Sequence, residues 1–131
     1  MLRGIFLLNR RNLSKIIPKN TRSFSIDGFG RVPITNKSDK LVKNLKQGDT
    51  IITPYGPDTI REIIKHTPNG FSFVVEFNRM LITPNHPIKI YDEWSLPKEV
   101  KAVKTVQCGE MYDIKLDKYD VLTVNGNNIK V

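Results

Sequence analysis

From Val32 onward, short apolar segments alternate with turn residues along the chain. No stretch between Thr35 and Val131 keeps the 3.6-residue period of a helix over a useful length. The segments predict β-strands at residues 50–53, 59–66, 72–77, 80–82, 88–91, 100–107, 111–116 and 121–124. Proline, glycine and asparagine residues between them predict tight turns, and residues 40–45 predict a helical turn. The pattern therefore indicates a compact all-β domain.

The predicted core of this domain includes aromatic side chains. Within residues 72–77, Phe73, Val75 and Phe77 alternate with less apolar positions, which is typical of a strand with one buried face. Phe71 and Trp94 are expected to join that core, because aromatic side chains bury the most area in a small domain.

Positive charge is concentrated at the start of the chain. The 131 residues carry a net charge of +8. Residues 1–26 hold six basic and no acidic side chains, whereas residues 27–131 hold 15 basic and 13 acidic ones, a balance of only +2. A nucleic-acid-binding domain carries its positive charge on the folded part, where phosphates bind. The distribution therefore argues against a nucleic-acid partner.

Residues 1–25 are predicted to be a targeting presequence with a linker, and residues 26–131 the β domain. On a helical wheel, apolar and basic side chains of this segment fall on opposite sides, led by Ile5 and Phe6 against Arg10 and Arg11. An acid-free, basic amphipathic helix is typical of a mitochondrial presequence, whereas a secretory signal needs about 7 to 15 unbroken apolar residues. A disordered basic tail on a cytoplasmic protein remains the alternative.

Composition excludes several further classes of protein and of site. Apolar content of 39% and charged content of 26% are those of a folded domain. No apolar run approaches the roughly 18 to 20 residues of a membrane span. Cys108 is the sole cysteine, which excludes an internal disulfide, and the only histidines are His66 and His86, so neither a metal nor a cofactor is expected. We assign no role to His66 and a turn position to Cys108.

Three segments in order carry a family pattern: residues 42–51, residues 81–88 with a Thr-x-x-His block at Thr83 and His86, and residues 111–126 with a late hairpin. Together they resemble the Hint domain, the fold shared by inteins and the hedgehog autoprocessing module, and are most similar to its Vint type. Trp94 and Pro97 follow the Thr-x-x-His block as in the family. The resemblance covers residues 23–131 and implies a compact Hint-type β-fold.

The resemblance also implies a chemistry. In Hint domains, a Cys or Ser at the start of the domain attacks the preceding carbonyl carbon, and the block His donates a proton to the leaving amide nitrogen. Carried over, Ser23 would be the nucleophile at the Arg22–Ser23 bond, His86 the general acid and Thr83 the polar support of the amide. Asp120 stands where late family blocks often have His. The terminal His-Asn pair of inteins is missing, which excludes complete splicing.

Each of these residues also has a simpler explanation. His86 fits a turn, and Thr83 fits a strand end before a proline. Ser23 fits a linker in a basic tail, and Asp120 fits a polar hairpin position.

Three functions stay open. The first is a Hint-like domain whose self-cleavage is degenerate or lost and which serves as a binding or structural module. The second is active, single-turnover autoprocessing by an N-to-O acyl shift at Arg22–Ser23. The third is a non-enzymatic accessory subunit of a mitochondrial assembly. A protein is the expected partner, and the chain is expected to be a monomer outside such an assembly.

Overall fold

The computed structural model describes residues 24–107 and 109–131. Residues 1–23, which comprise most of the predicted presequence and linker and include Ser23, lie outside these ranges, as does Cys108. The described strands are β1 (Ile26–Asp27), β2 (Arg31–Thr35), β3 (Ser38–Leu41), β4 (Thr50–Thr53), β5 (Gly56–His66), β6 (Ser72–Phe77), β7 (Met80–Ile82), β8 (Ile88–Ile90), β9 (Glu93–Ser95), β10 (Lys104–Val106), β11 (Met111–Leu116), β12 (Val121–Val124) and β13 (Asn127–Lys130). Helix α1 spans Pro97–Val100, and a 3₁₀ turn spans Val42–Asn44.

These strands form three antiparallel sheets. A seven-stranded sheet has the order β10-β6-β7-β1-β11-β5-β4, a four-stranded sheet the order β12-β13-β8-β9, and β2 pairs with β3. Half of the ten neighbouring pairs of described strands are consecutive hairpins, which short connections make possible only for antiparallel strands, and the other half join strands that are distant in the chain. β1 belongs to the second kind on both sides, because it lies between β7 and β11. The beginning of the domain is therefore placed in the middle of the large sheet.

The core is built mainly from aliphatic side chains. Ile26 of β1 packs with Ile82 of β7 and with Tyr112 and Ile114 of β11, all 9% exposed or less. The four-stranded sheet adds Ile88 and Ile129 to the same cluster. Burial of each such side chain contributes about 1.5 to 3 kcal/mol. β1 is thereby fixed by its buried isoleucine as well as by its pairing.

The all-β prediction is confirmed, and the differences are local. The predicted strands at residues 50–53, 72–77, 80–82, 111–116 and 121–124 have the observed bounds, and the 3₁₀ turn lies within the predicted helical turn. The predicted strand at residues 100–107 is wrong at its start, where α1 ends at Val100, and only Lys104–Val106 is extended. β1, β2, β3, β9 and β13 were not predicted, because their sequences show little apolar alternation and pairing partners make them extended.

The expected aromatic core is wrong for three of its four members. Phe77 is buried, but Phe71 is 70%, Phe73 65% and Trp94 38% exposed. Val74 and Val75, on opposite faces of β6, are both fully buried, so this strand is not one-sided. Phe73 pairs with Thr105 of β10, at the edge of the large sheet, where its side chain meets solvent.

A buried carboxylate holds the turn between β11 and β12. Asp58 of β5 accepts hydrogen bonds from the backbone N–H groups of Thr59 (2.7 Å), Lys118 (3.1 Å) and Tyr119 (2.8 Å). Burial alone would raise the pKa of Asp58, but these donors outweigh it and the pKa lies below its usual value.

The Asp58→Asn substitution should therefore destabilise the fold by about 2 kcal/mol, because one carboxylate oxygen becomes an NH₂ donor that faces N–H groups. Urea unfolding measures the change. Asp117→Asn, at an exposed position on the same turn, is the matched control and should change stability by less than about 0.5 kcal/mol. Equal effects of the two substitutions would contradict this role of Asp58.

Candidate functional site

Ser25 and Thr83 are joined by three hydrogen bonds at the edge of β1. The pairing of β1 with β7 brings Ser25, just before β1, beside Thr83, just after β7. The Thr83 N–H donates to the Ser25 carbonyl at 3.0 Å, and the Thr83 hydroxyl donates to the same oxygen at 3.3 Å. The Ser25 N–H donates to Thr83 Oγ1 at 3.1 Å. Ser25 is only 3% exposed, so its amide is held in a nearly dry environment.

His86 is the most buried polar residue of this region, with 1% of its surface exposed. The backbone N–H of His86 donates to the Thr83 carbonyl at 3.1 Å, which closes the turn between the two residues. The ring atom Nε2 bonds to the carbonyl oxygen of Lys130 on β13. A carbonyl can only accept, so Nε2 carries the proton. In the neutral ring Nδ1 is then a proton acceptor, and it is buried without a hydrogen-bond partner among the described atoms.

The environment keeps the His86 imidazole neutral. Burial lowers its pKa from 6.5 to about 4, and the nearby backbone of Lys130 and Ser25 offsets only part of this effect. At neutral pH the ring therefore starts as a proton acceptor. The general-acid role expected from the sequence requires that the ring first receive a proton.

Phe24 covers the His86 ring. The two rings are stacked, with centroids 4.9 Å apart and planes inclined by 19°. Ser25, the next residue, is bound to Thr83. The Phe24–Ser25 peptide bond therefore lies between the two residues of the Thr-x-x-His block.

Two carboxyl groups lie on the Ser25 side of the sheet. Asp27 of β1 accepts a hydrogen bond from the Leu81 N–H at 3.0 Å, which ties β1 to β7, and burial raises its pKa. Asp113 belongs to β11, in which Tyr112 pairs with Ile26. Continuing this register by one residue places Asp113 opposite Ser25. Burial also raises the pKa of Asp113, despite the nearby Lys115.

The structure brings together only part of the predicted site. Thr83 and His86 are adjacent, but Asp120 is exposed and pairs with Lys130 Nζ at 3.0 Å instead of joining them. Ser23 lies outside the described residues, and its role stays a prediction. Ser25 and Asp113, which the structure places near this block, are not among the site residues expected from the sequence. The available signal for Ser25 is its position as the hydroxyl residue directly before Ile26, the first buried strand residue.

The described residues show neither a metal-binding cluster nor a membrane-spanning helix. Across residues 24–107 and 109–131, there is no group of three or more His, Cys, Asp or Glu side chains arranged to bind a metal ion. Within this same part of the chain, no helix has the length and apolarity needed to cross a membrane.

Comparisons with solved structures show where this architecture occurs. The solution structure of a bacterial intein-like domain from Clostridium thermocellum superimposes with a TM-score of 0.65 at 14% identity, covering 82% of this chain and 98% of that one. The gp41-1 intein gives a TM-score of 0.62 at 12% identity, with coverages of 83% and 99%. A DnaB intein from Synechocystis sp. PCC 6803 gives 0.62 at 13% identity, also with 83% and 99%. At such identities the likeness shows the fold alone.

Comparisons of sequence identify the family. No curated protein sequence matches the chain. The Vint family model, described as a Hint-domain, matches residues 25–130, which is most of the chain and begins at Ser25. This match, together with the intein-like fold and the adjacent Thr83 and His86, shows that the chain belongs to the Hint-domain family.

Proposed function

We propose that the protein cleaves its own backbone between Phe24 and Ser25, by an N-to-O acyl shift followed by hydrolysis. One observation carries the proposal: the Phe24 ring stacks on the His86 imidazole while the Ser25 amide is hydrogen-bonded to Thr83. Both residues that flank this peptide bond are thereby held by the Thr-x-x-His block. Such positioning supplies a large part of the rate gain in intramolecular reactions.

The proton path follows from the state of His86. Nδ1 of the neutral ring takes the proton from Ser25 Oγ, and Oγ attacks the carbonyl carbon of Phe24. The C–N bond then breaks, and the imidazolium gives the same proton to the departing nitrogen of Ser25. The products are a Phe24 ester on Ser25 Oγ and a free amine. A lowered His86 pKa suits this transfer, because the imidazolium is a strong acid toward the leaving nitrogen.

Thr83 has a separate task in this scheme. Its hydroxyl oxygen accepts the Ser25 N–H, which fixes the orientation of the amide nitrogen while the carbonyl is attacked. Its backbone and hydroxyl also hold the Ser25 carbonyl on the far side of the residue. The nucleophile is thus anchored on both sides.

Hydrolysis completes the reaction. Water attacks the Phe24 ester, giving a carboxylate on Phe24 and restoring the Ser25 hydroxyl. The released piece would be residues 1–24, the segment that the sequence predicts to carry a mitochondrial presequence. The β domain would then begin with the amine of Ser25.

Intact mass spectrometry of the purified full-length chain, incubated without protease, tests the proposal. We expect fragments that correspond to residues 1–24 and 25–131. Ser25→Ala should abolish the cut, because alanine has no attacking oxygen, and Ser23→Ala is the matched control that should cleave normally. Hydroxylamine should trap the ester as a hydroxamate on Phe24.

The outcomes separate the hypotheses. A cut between Arg22 and Ser23 that Ser23→Ala removes would restore the assignment made from the sequence. A full-length chain that stays intact, with or without hydroxylamine, would leave a Hint-type domain with degenerate chemistry. Cleavage that survives Ser25→Ala would exclude the proposed nucleophile.

A further inference from the structure

Each polar group of Lys130, on β13, is bound within the described structure. The backbone N–H of Lys130 donates to the Pro87 carbonyl at 3.0 Å, and the carbonyl of Lys130 accepts from His86 Nε2. The Lys130 ammonium pairs with Asp120 Oδ2 at 3.0 Å and lies 4.7 Å from the centroid of the Trp94 ring. Lys130 is therefore fixed both at its backbone, where it contacts the candidate site, and at its side chain.

The carbonyl that His86 contacts belongs to a peptide group with a second anchor. The N–H of that group, contributed by Val131, donates to the Asp120 carbonyl at 2.9 Å. A peptide group is planar, so the direction of its N–H sets the direction of its C=O. Asp120 thus holds this part of β13 twice, through its own carbonyl and through the ion pair of its carboxylate with Lys130.

The contact with Lys130 decides which ring nitrogen of His86 can react. The Lys130 carbonyl is an acceptor only, so it retains the proton on Nε2 and leaves Nδ1 as the acceptor. In a histidine, the hydrogen bond made by one ring nitrogen selects the state of the other. A ring that turned over could not take the proton of Ser25 Oγ. Proton transfer also depends on placement, since a displacement of about 1 Å can cost about 10² in rate.

We propose that Lys130 is a positioning residue: the contacts of its side chain with Asp120 and Trp94 hold its carbonyl in place, and this carbonyl orients the His86 ring for proton transfer at Nδ1. The role rests on the proposed self-cleavage at Phe24–Ser25, and Lys130 acts in it through His86. Because the Asp120 side chain is largely exposed, its ion pair contributes little to stability. The effect of the pair is therefore expected on the reaction.

The rate of cleavage of Lys130→Ala at neutral pH, followed by intact mass spectrometry, tests this role. The substitution keeps the backbone of β13 but removes the ion pair with Asp120 and the cation–π contact with Trp94. Because each of these contacts corresponds to a factor of about two to five at partly exposed positions, we expect cleavage to slow about fivefold. Lys130→Arg can make both contacts and should restore a rate near that of the wild type.

Lys89→Ala is the matched control. Lys89 lies on β8, the neighbour of β13, and its Nζ is 5.8 Å from the same Trp94 centroid. The substitution removes a comparable surface cation and should change the rate by less than about twofold. If Lys89→Ala slows cleavage as much as Lys130→Ala does, or if Lys130→Ala cleaves at the wild-type rate, the inference is overturned and the proposed function stands.

A second measurement does not need cleavage. In a Ser25→Ala chain, NMR of the His86 ring measures how fast the Nε2 proton exchanges with water, which reports how often its hydrogen bond to Lys130 opens. Adding Lys130→Ala should accelerate this exchange about fivefold, whereas adding Lys130→Arg or Lys89→Ala should leave it near its original rate.

The exchange rate also separates the two proposals. An exchange rate that Lys130→Ala does not change would overturn the inference. If the full-length wild-type chain never cleaves, the proposed function fails, and the exchange rate still decides whether the Lys130 side chain holds the His86 ring in place.

Discussion

Replacing His86 with alanine is expected to slow cleavage of the Phe24–Ser25 bond by about 10² to 10⁴, the range for loss of a positioned acid–base group. The variant loses Nδ1, the atom that would take the proton from Ser25 Oγ and return it to the leaving nitrogen. It also loses the surface on which Phe24 stacks. Single-turnover kinetics by intact mass spectrometry measure the rate.

Two further experiments distinguish proton transfer by His86 from its packing against Phe24. His86→Gln keeps a donor toward the Lys130 carbonyl but has no titrating nitrogen, so it should be nearly as slow as the alanine variant. Added imidazole should restore part of the rate to His86→Ala, since the lost ring leaves a space of its own size. A rate in His86→Gln equal to that of the wild type would exclude proton transfer by His86.

Acid should destabilise the fold through the same residue. The pKa of His86 is about 4 in the folded chain, against 6.5 for an ordinary histidine. The unfolded chain therefore binds a proton that the folded chain does not, and stability is lost as the pH falls from about 6.5 to about 4. The difference corresponds to about 3 kcal/mol at the acidic end.

Urea unfolding at pH 7 and pH 4.5 measures this loss in a Ser25→Ala chain, which remains uncut. Other groups titrate in the same range, and burial raises the pKa of Asp27 and Asp113, which opposes the loss. The comparison is therefore with Ser25→Ala/His86→Gln, in which the difference between the two pH values should shrink by about 2 to 3 kcal/mol. An identical pH dependence in both chains would contradict the low His86 pKa.

The fold was predictable where the sequence alternates and where turns are marked. β7, β11 and β12 have their predicted bounds because buried aliphatic residues and flanking turn residues agree there. β1 was not predictable in this way. It is two residues long, and its strand conformation depends on partners some 55 to 85 positions away along the chain. Such a strand has no local signal of its own.

The candidate site divides along the same line. Thr83 and His86 could be predicted, because their spacing in the chain is local and resembles a family block. Ser25 and Asp113 reach the site through the pairing of β1 with β11, which no local pattern records. Asp120 was predicted because it stands at a family position that often holds His. In the structure its carboxylate forms an ion pair with Lys130 Nζ, which also lies 4.7 Å from the centroid of the Trp94 ring.

The stacking of Phe24 on His86 has a consequence for the direction of processing. Phe24 lies on the departing side of the proposed cut, yet its ring is part of what shields the imidazole from water. If the proposed cut releases residues 1–24, that cover leaves with them, and the His86 ring becomes more accessible to water. The proposed reaction would thus remove part of the apolar environment of His86 on which it depends. Rejoining the two pieces would first require Phe24 to stack on His86 again.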